Sequence, residues 1–290
     1  LVAEVPGGLD LLLGITHVVS GAVAGDEGEA EGVCAVLVDD EQRVDAVRCA
    51  DESMWNEGVA AVGDIANSML AFDVKTRSGI RYRTFAEVFG LRTASIEALE
   101  PLLCHPDTAL SPHSTYSLQD DIFKRVCCEG SEPLSIHFME SCGERELYEG
   151  RGALYEWYQT QGWECDFLHY GSPAERIVAC VPAERSVMLV HNCCVTQRDI
   201  DIIMSHFTAP VYWTVCLGSN DYISGLTPDI ELLRRNHLNI CIGTDSLASN
   251  NSLSMLAELK RLREYPLDEV LTWATANGAD ALGFGDSLGR

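Results

Sequence analysis

The feature that most constrains this chain is a regular alternation, from residue 59 onward, of short β-branched runs with longer helical patterns. Such alternation is typical of βαβ units, whose strands lie parallel in one sheet. Seven strands are predicted, over residues 59–65, 80–85, 108–113, 134–137, 186–191, 210–216 and 239–245. Seven is one fewer than the eight strands of a (β/α)₈ barrel, whose usual length is about 250 residues. We therefore predict an α/β protein with a TIM-barrel architecture.

The segment before residue 59 contains no clear first strand. Residues 9–19 and 41–57 have helical patterns, and the apolar run 33–38 between them is predicted as a connection. Helix start signals elsewhere include Ser117 and Thr196 as N-caps and Pro228 in a first turn. No repeat or flexible linker divides the chain, so we expect one barrel domain over residues 1–290 with its first strand missing or degenerate.

Charge and cysteine content exclude several classes of function. The chain has 44 acidic and 20 basic side chains, for a formal charge of −24, and such a field repels nucleic acid and anionic lipid. No apolar run approaches the roughly 20 residues that span a bilayer. No secretory signal is recognisable, so the cytoplasm is the expected compartment. The 12 cysteines include no C-x-x-C pair, which favours reduced thiols over a zinc-thiolate site.

Ionisable side chains stand where four of the predicted strands end. These are His113, His137, His191 and Asp245, and in a barrel the carboxyl ends of the strands carry the catalytic groups. Imidazole nitrogen and carboxylate oxygen are ligands that Zn²⁺ accepts, and a bound metal lowers the pKa of water to about 7. Glu140 follows His137 by three residues, a position suited to a proton shuttle.

Six short motifs together resemble the metal-dependent amidohydrolase superfamily, in its branch of guanine, cytosine and triazine deaminases and chlorohydrolases. The resemblance extends from about residue 56 to the C-terminus. The motifs are H-x-x-E at 137–140, G-T-D-S-x-x-S-N at 243–250, G-D-x-x-N at 63–67, S-P-H at 111–113, V-H at 190–191 and S-N at 219–220.

The resemblance implies a barrel in which the seven predicted strands are numbers two to eight. It also implies a divalent metal, zinc or alternatively iron, and a small-molecule substrate. The implied metal ligands are His137, His191 and Asp245, the catalytic residues are Glu140, Asp245 and His191, and the substrate-binding residues are His113, Ser219 and Asn220.

The chain also departs from the family pattern. The family's first strand ends in H-x-H, which supplies two metal ligands, and no H-x-H occurs in the 290 residues. Residues 1–20 resemble the segment that follows that motif, and the family's small β-domain is absent. We therefore expect a barrel shortened at both ends.

Three functional hypotheses follow from these residues. The first is a metal-dependent hydrolase, of the deaminase type, that acts on a small heterocyclic substrate. The second is a non-catalytic barrel that has lost its metal, and the third, ranked last, is an interaction protein that uses its acidic surface. No Gly-rich phosphate loop follows a strand, so no nucleotide cofactor is expected. Homo-oligomer formation is left open, and the segments 115–117, 141–151 and 221–225 are predicted as specificity loops.

Overall fold

Parallel strands form the centre of the structure. The computed structural model describes residues 16–17, 39–130 and 132–289. Two four-stranded parallel sheets are present in these residues. The first contains β1 (Thr16–His17), β2 (Ala61–Ala66), β3 (Arg81–Val88) and β4 (Thr108–Pro112), and the second contains β5 (Leu134–Phe138), β6 (Val187–His191), β7 (Val211–Val215) and β8 (Asn239–Ile242).

A backbone contact joins the two sheets. His137 N donates to His113 O at 2.9 Å, and Ser114 forms a parallel bridge with His137. The strands therefore lie side by side in their chain order from β1 to β8, which is the strand order of a (β/α)₈ barrel. Within the described ranges no pairing between β8 and β1 is recorded.

Helices follow most strands and cover the outer face of the sheets. None of the helices in the described ranges is long and apolar enough to cross a membrane. In chain order they are α1 (Asp40–Asn56), α2 (Phe72–Lys75), α3 (Glu100–Leu103), α4 (Asp120–Cys128), α5 (Cys142–Tyr148), α6 (Gly152–Thr160), α7 (Pro173–Cys180), α8 (Gln197–His206), α9 (Leu217–Ser224), α10 (Ile230–Arg235), α11 (Met255–Arg261), α12 (Leu267–Ala274) and α13 (Ala276–Ala281), with 3₁₀ turns at Glu97–Leu99 and Leu168–Tyr170.

The seven strands predicted from the sequence are confirmed, with boundaries that shift by a few residues. The third described strand, β3, extends to Val88 instead of residue 85, and β8 ends at Ile242, before Asp245. The N-cap prediction for Thr196 is also confirmed, because its side chain accepts a hydrogen bond from Asp199 N. In return, the Asp199 carboxylate accepts a hydrogen bond from Thr196 N. Hydrophobic periodicity therefore identified these elements correctly.

The prediction of a helix over residues 9–19 is wrong at Thr16–His17, which pair in parallel with Asp64 and Ile65 of β2. These two residues occupy the position of a first strand, whereas residues 1–20 were expected to follow that strand. The described residues therefore contain eight strands, one more than the seven predicted. The cause is long-range pairing, which a local pattern does not report. The connection predicted over residues 33–38 lies outside the described residues.

Two helix start signals are also wrong. Ser117 does not cap α4, since its hydroxyl accepts from Ser114 N at 3.2 Å within the preceding turn; α4 begins after Gln119. Pro228 lies before α10 and outside its first turn, because Asp229 is the N-cap and accepts from Leu232 N at 2.9 Å. At α10 a neighbouring residue, Asp229, supplies the capping hydrogen bond, whereas the N-cap of α4, Gln119, makes no side-chain capping bond.

A continuous apolar core fills the space between the strands and helices. Phe85 on β3, Phe138 on β5 and Trp213 on β7 are fully buried within it. The rings of Phe138 and Trp213 meet edge to face with 6.3 Å between centroids, an arrangement that aromatic quadrupoles favour. This core packs against the strands and fixes the positions of the strand ends relative to one another.

A buried ion pair links β2 to α2. The Lys75 ammonium contacts the Asp64 carboxylate and also donates to Thr84 Oγ1 at 3.1 Å. Both charged side chains are almost completely removed from solvent. Asp64 belongs to the G-D-x-x-N motif, so the structure gives that aspartate a packing role.

We expect Asp64→Asn to lower the free energy of unfolding by about 3 kcal/mol, because it leaves the Lys75 ammonium buried without its counter-charge. Asp45→Asn is the matched control, since Asp45 pairs with Arg48 on the exposed face of α1 and should cost less than about 1 kcal/mol. Urea denaturation measures both values. Equal losses in the two variants would contradict a structural role for the buried pair.

Candidate active site

Three histidines meet where neighbouring strands end. His113 follows β4, while His137 and His191 lie near the ends of β5 and β6. The His113 and His137 ring centroids are 4.6 Å apart, and the His137 and His191 rings stack at 5.0 Å with an interplanar angle of 19°. His137 Nδ1 lies 2.9 Å from His191 Nε2. The parallel register of the strands thus brings together three residues separated by up to 78 positions in the chain (191 − 113).

Two carboxylates flank this row of rings. Glu140 Oε1 lies 3.8 Å from His191 Nε2, and Glu87 Oε1 lies 3.8 Å from His137 Nε2. Each carboxylate completes a group of three metal-type donors whose ligand atoms all lie within 4.8 Å of one another. One group is Glu87, His113 and His137, and the other is His137, Glu140 and His191.

Glu87 was missed in the sequence prediction. The third strand was expected to end at residue 85, whereas β3 continues to Val88 and carries Glu87 to the strand end. Asn67 Nδ2 donates to Glu87 Oε2 at 3.2 Å. A strand pattern extended by three residues would have found this carboxylate by the same rule that found the histidines.

Asp245 lies beyond β8 and is held by hydroxyl groups. Ser249 Oγ donates to Asp245 Oδ2 at 2.8 Å, and Ser219 Oγ donates to the same oxygen. The aspartate is buried, with 6 % of its surface exposed. Among the described residues it belongs to neither of the two three-donor groups. The hydroxyl donors compensate the carboxylate for the water that it loses on burial.

Asn220 fixes the orientation of His191. Its Nδ2 lies 3.0 Å from His191 Nδ1, and both residues are almost fully buried. With the amide nitrogen as the donor, His191 accepts at Nδ1 and carries its proton on Nε2, the nitrogen that faces His137. The amide therefore sets both the ring plane and the tautomer.

The backbone at the strand ends adopts the left-handed region at three site positions. The φ angles are +51° at Met139, +83° at His191 and +56° at Asp245. A residue other than glycine in this region costs roughly 1–3 kcal/mol, and such residues concentrate at functional sites. These turns re-aim the side chains at the carboxyl ends of β5, β6 and β8.

Glu144 secures the turn after β5, and the sequence prediction missed it as well. Its carboxyl oxygens accept from Met139 N at 2.9 Å and from Glu140 N at 2.7 Å. The segment 141–151 was predicted as a loop, but most of it forms α5, which delivers Glu144 to the turn. Residues 221–225, also predicted as a loop, largely continue α9. Helical hydrogen bonding makes both segments more rigid than expected.

Burial raises the pKa of Glu144 to about 8, and the nearby Glu140 carboxylate acts in the same direction. The two backbone N–H donors oppose this rise. The Glu144 carboxyl therefore holds its proton to higher pH in the folded protein than in the unfolded chain.

The fold and the motif residues define a family. The amidohydrolase family model matches residues 85–290, which is 206 of the 290 residues, and the chain belongs to that family. An adenosine deaminase of Helicobacter pylori is 28 % identical over 259 residues, covering 82 % of this chain and 63 % of the relative. The resemblance to the deaminase branch is confirmed.

Solved structures agree with this assignment. Helicobacter pylori aminofutalosine deaminase, in complex with methylthio-coformycin, superposes with a TM-score of 0.73 at 27 % identity, over 84 % of this chain and 64 % of that one. Atrazine chlorohydrolase of Arthrobacter aurescens, complexed with zinc, superposes with a TM-score of 0.67 at 16 % identity, over 86 % and 61 %. The TIM-barrel fold is confirmed, and the chain spans less than two thirds of the length of these relatives.

We expect Glu144→Gln to change how stability depends on pH. A carboxyl whose folded-state pKa is raised contributes stability at low pH that is lost as pH rises from about 4.5, its unfolded value, through 8. Relative to the variant, the wild-type free energy of unfolding should therefore fall by up to about 1.4 kcal/mol per pH unit in that window. Denaturant unfolding across the window measures this difference.

Glu146→Gln is the matched control, because Glu146 lies on the same helix in an exposed pair with Arg151. Its stability profile should run parallel to that of the wild type. A parallel profile for Glu144→Gln as well would show that Glu144 is ionised in the folded protein.

Proposed function

We propose that this chain carries the catalytic barrel of a metal-dependent deaminase that acts on a small heterocyclic amine. The observation that carries the proposal is the convergence of His137, Glu140 and His191 within 4.8 Å at the ends of β5 and β6. The relatives support the substrate class, since they include an adenosine deaminase and a 5-methylthioadenosine/S-adenosylhomocysteine deaminase. A purine nucleoside that bears a 6-amino group is therefore the first substrate to test.

The donor set fits a borderline divalent metal. His137 offers an imidazole nitrogen and Asp245 a buried carboxylate, which are ligand types suited to zinc. We assign these two residues as ligands and zinc as the metal, with iron as the alternative. His191, the third ligand that the resemblance implies, accepts from Asn220 at Nδ1 and carries its proton on Nε2, so we assign it a contact to the attacking oxygen instead. When bound, the metal would supply a water molecule whose pKa is lowered to about 7.

The protein's own residues would move the protons. Asp245, positioned by Ser219 and Ser249, accepts a proton from the attacking water. Glu140 is partly exposed to solvent and 3.8 Å from His191, so it can pass a proton to the ring nitrogen and then to the departing ammonia. His191 donates from Nε2 to the oxygen that attacks.

His113 is the best-placed residue for substrate contact. It is only partly buried, and its ring lies between those of His137 and Tyr116. Ser219 and Asn220 were predicted to bind substrate, but both are fully buried and already bonded to Asp245 and His191. We therefore propose that these two residues position the catalytic groups.

The missing H-x-H favours a second candidate, a barrel of the same fold that has no metal-dependent activity. The two candidates differ in metal binding. For the deaminase, we expect the purified chain to contain less than one equivalent of zinc or iron and to gain thermal stability when zinc is added. Ligand binding to the folded state alone raises the apparent stability.

His137→Ala should abolish the zinc-dependent rise in melting temperature, because it removes a ligand shared by both donor groups. The exposed His169 provides the control, and His169→Ala should respond to zinc as the wild type does. Differential scanning fluorimetry and elemental analysis provide the readouts. A wild-type chain that neither contains metal nor responds to zinc would establish the non-catalytic candidate.

Glu140→Gln should keep the zinc response but lose most turnover. Glutamine preserves the shape of the side chain and cannot relay a proton, and general acid–base steps contribute typically ~10²–10⁴-fold. Ammonia release from adenosine or 5′-methylthioadenosine measures the rate. Glu57→Gln, at an exposed position after α1, is the control and should match the wild type. Unchanged turnover in Glu140→Gln would contradict the shuttle assignment.

A further inference from the structure

Two cysteine thiols meet beside the site, on loops that belong to different strands. Cys142 Sγ and Cys194 Sγ lie 2.6 Å apart, although 52 positions separate them in the chain. Cys142 is exposed at the start of α5, and Cys194 is half-buried beyond β6. A disulfide bond is about 2.05 Å long, so only a small side-chain movement separates the observed contact from bonding distance.

The backbone holds the two cysteines in this relation. Asn192 N donates to Phe138 O at 3.0 Å, and Cys194 N donates to Met139 O at 2.8 Å. Arg145, on the same helix as Cys142, donates from Nη2 to Cys194 O at 3.2 Å. Three hydrogen bonds therefore connect the loop after β5 with the loop after β6, and the thiol contact is a consequence of that connection.

Arg145 strengthens the connection further. Its Nη2 donates to Asp199 Oδ2 at 2.7 Å, and Asp199 in turn forms the capping box of α8 with Thr196. The helix that begins with Cys142 is thereby tied to the helix that follows Cys194. Because both helix starts are fixed, the two sulfur atoms need no rearrangement of secondary structure to react.

We propose that Cys142 and Cys194 form a reversible disulfide that cross-links the loops carrying Glu140 and His191, with a small-molecule disulfide such as oxidised glutathione as the oxidant. The Cys142 thiolate attacks one sulfur of the oxidant, which forms a mixed disulfide and releases one glutathione thiolate. Cys194 then loses its proton to solvent and attacks the Cys142 sulfur, which releases the second glutathione. Two protein thiols are oxidised, and one small disulfide is reduced to two thiols.

The order of attack follows from exposure. Cys142 is accessible to a small molecule, whereas Cys194 is partly covered by its neighbours. The cross-link would span Glu140 and His191, whose side chains lie 3.8 Å apart at their nearest charged atoms. Oxidation would therefore add a covalent link to the hydrogen bonds that already connect the two loops, and reduction by a dithiol would remove that link.

The test treats the full 290-residue chain with oxidised glutathione and maps its peptides without reduction. We expect a peptide pair joined through Cys142 and Cys194, the loss of two titratable thiols, and a melting temperature that rises by several degrees and returns on addition of dithiothreitol. Cross-linking distant residues stabilises chiefly by restricting the unfolded chain.

Cys194→Ser should stop the reaction after the first step, with glutathione attached to Cys142. Cys142→Ser should give neither product. Cys128→Ser is the matched control, because Cys128 is also exposed at a helix end, and it should form the cross-link as the wild type does. A wild-type chain that retains glutathione on Cys142, or that joins Cys142 to a different cysteine, would overturn the proposal. None of these readouts depends on deaminase activity.

Discussion

The hydrogen bond from His137 N to His113 O, 2.9 Å long, joins the two four-stranded sheets at their carboxyl ends. It continues the parallel order from β4 to β5, and it also sets two site histidines side by side with 4.6 Å between ring centroids. Because the strands run parallel, every strand that follows delivers its last residues to the same edge. The approach of His113 to His137 depends on that junction, while the pairing of β5 with β6 places His191 beside them.

Once polar groups are gathered at a buried edge, their hydrogen bonds have to be supplied by the protein. A buried donor or acceptor without a partner costs roughly 1–3 kcal/mol. Asn220 donates to His191, Ser219 and Ser249 donate to Asp245, and Glu144 accepts from the backbone after β5. The supporting residues come from α9, from the loop after β8 and from α5. The site is thus built from two layers, in which the outer layer fixes the geometry of the inner one.

Several residues were predictable because they obey a local rule. His113, His137 and His191 end predicted strands, and the H-x-x-E and G-T-D-S-x-x-S-N motifs mark Glu140 and Asp245. Glu144 obeys no such rule, since a glutamate near the start of a short helix in an acidic chain resembles a solvated surface residue. Only the turn at Met139, with its φ of +51°, makes that carboxyl a buried acceptor.

The sequence by itself determined the α/β class, seven of the eight strands and the edge at which the ionisable residues gather, because these follow from hydrophobic period and parallel direction. The tertiary structure decided what depends on contacts between distant segments. Pairing with β2 makes Thr16–His17 a strand, and the junction of the β5 and β6 loops brings Cys142 to Cys194. Such contacts are absent from local patterns, since their energy arises only when residues far apart in the chain pack together.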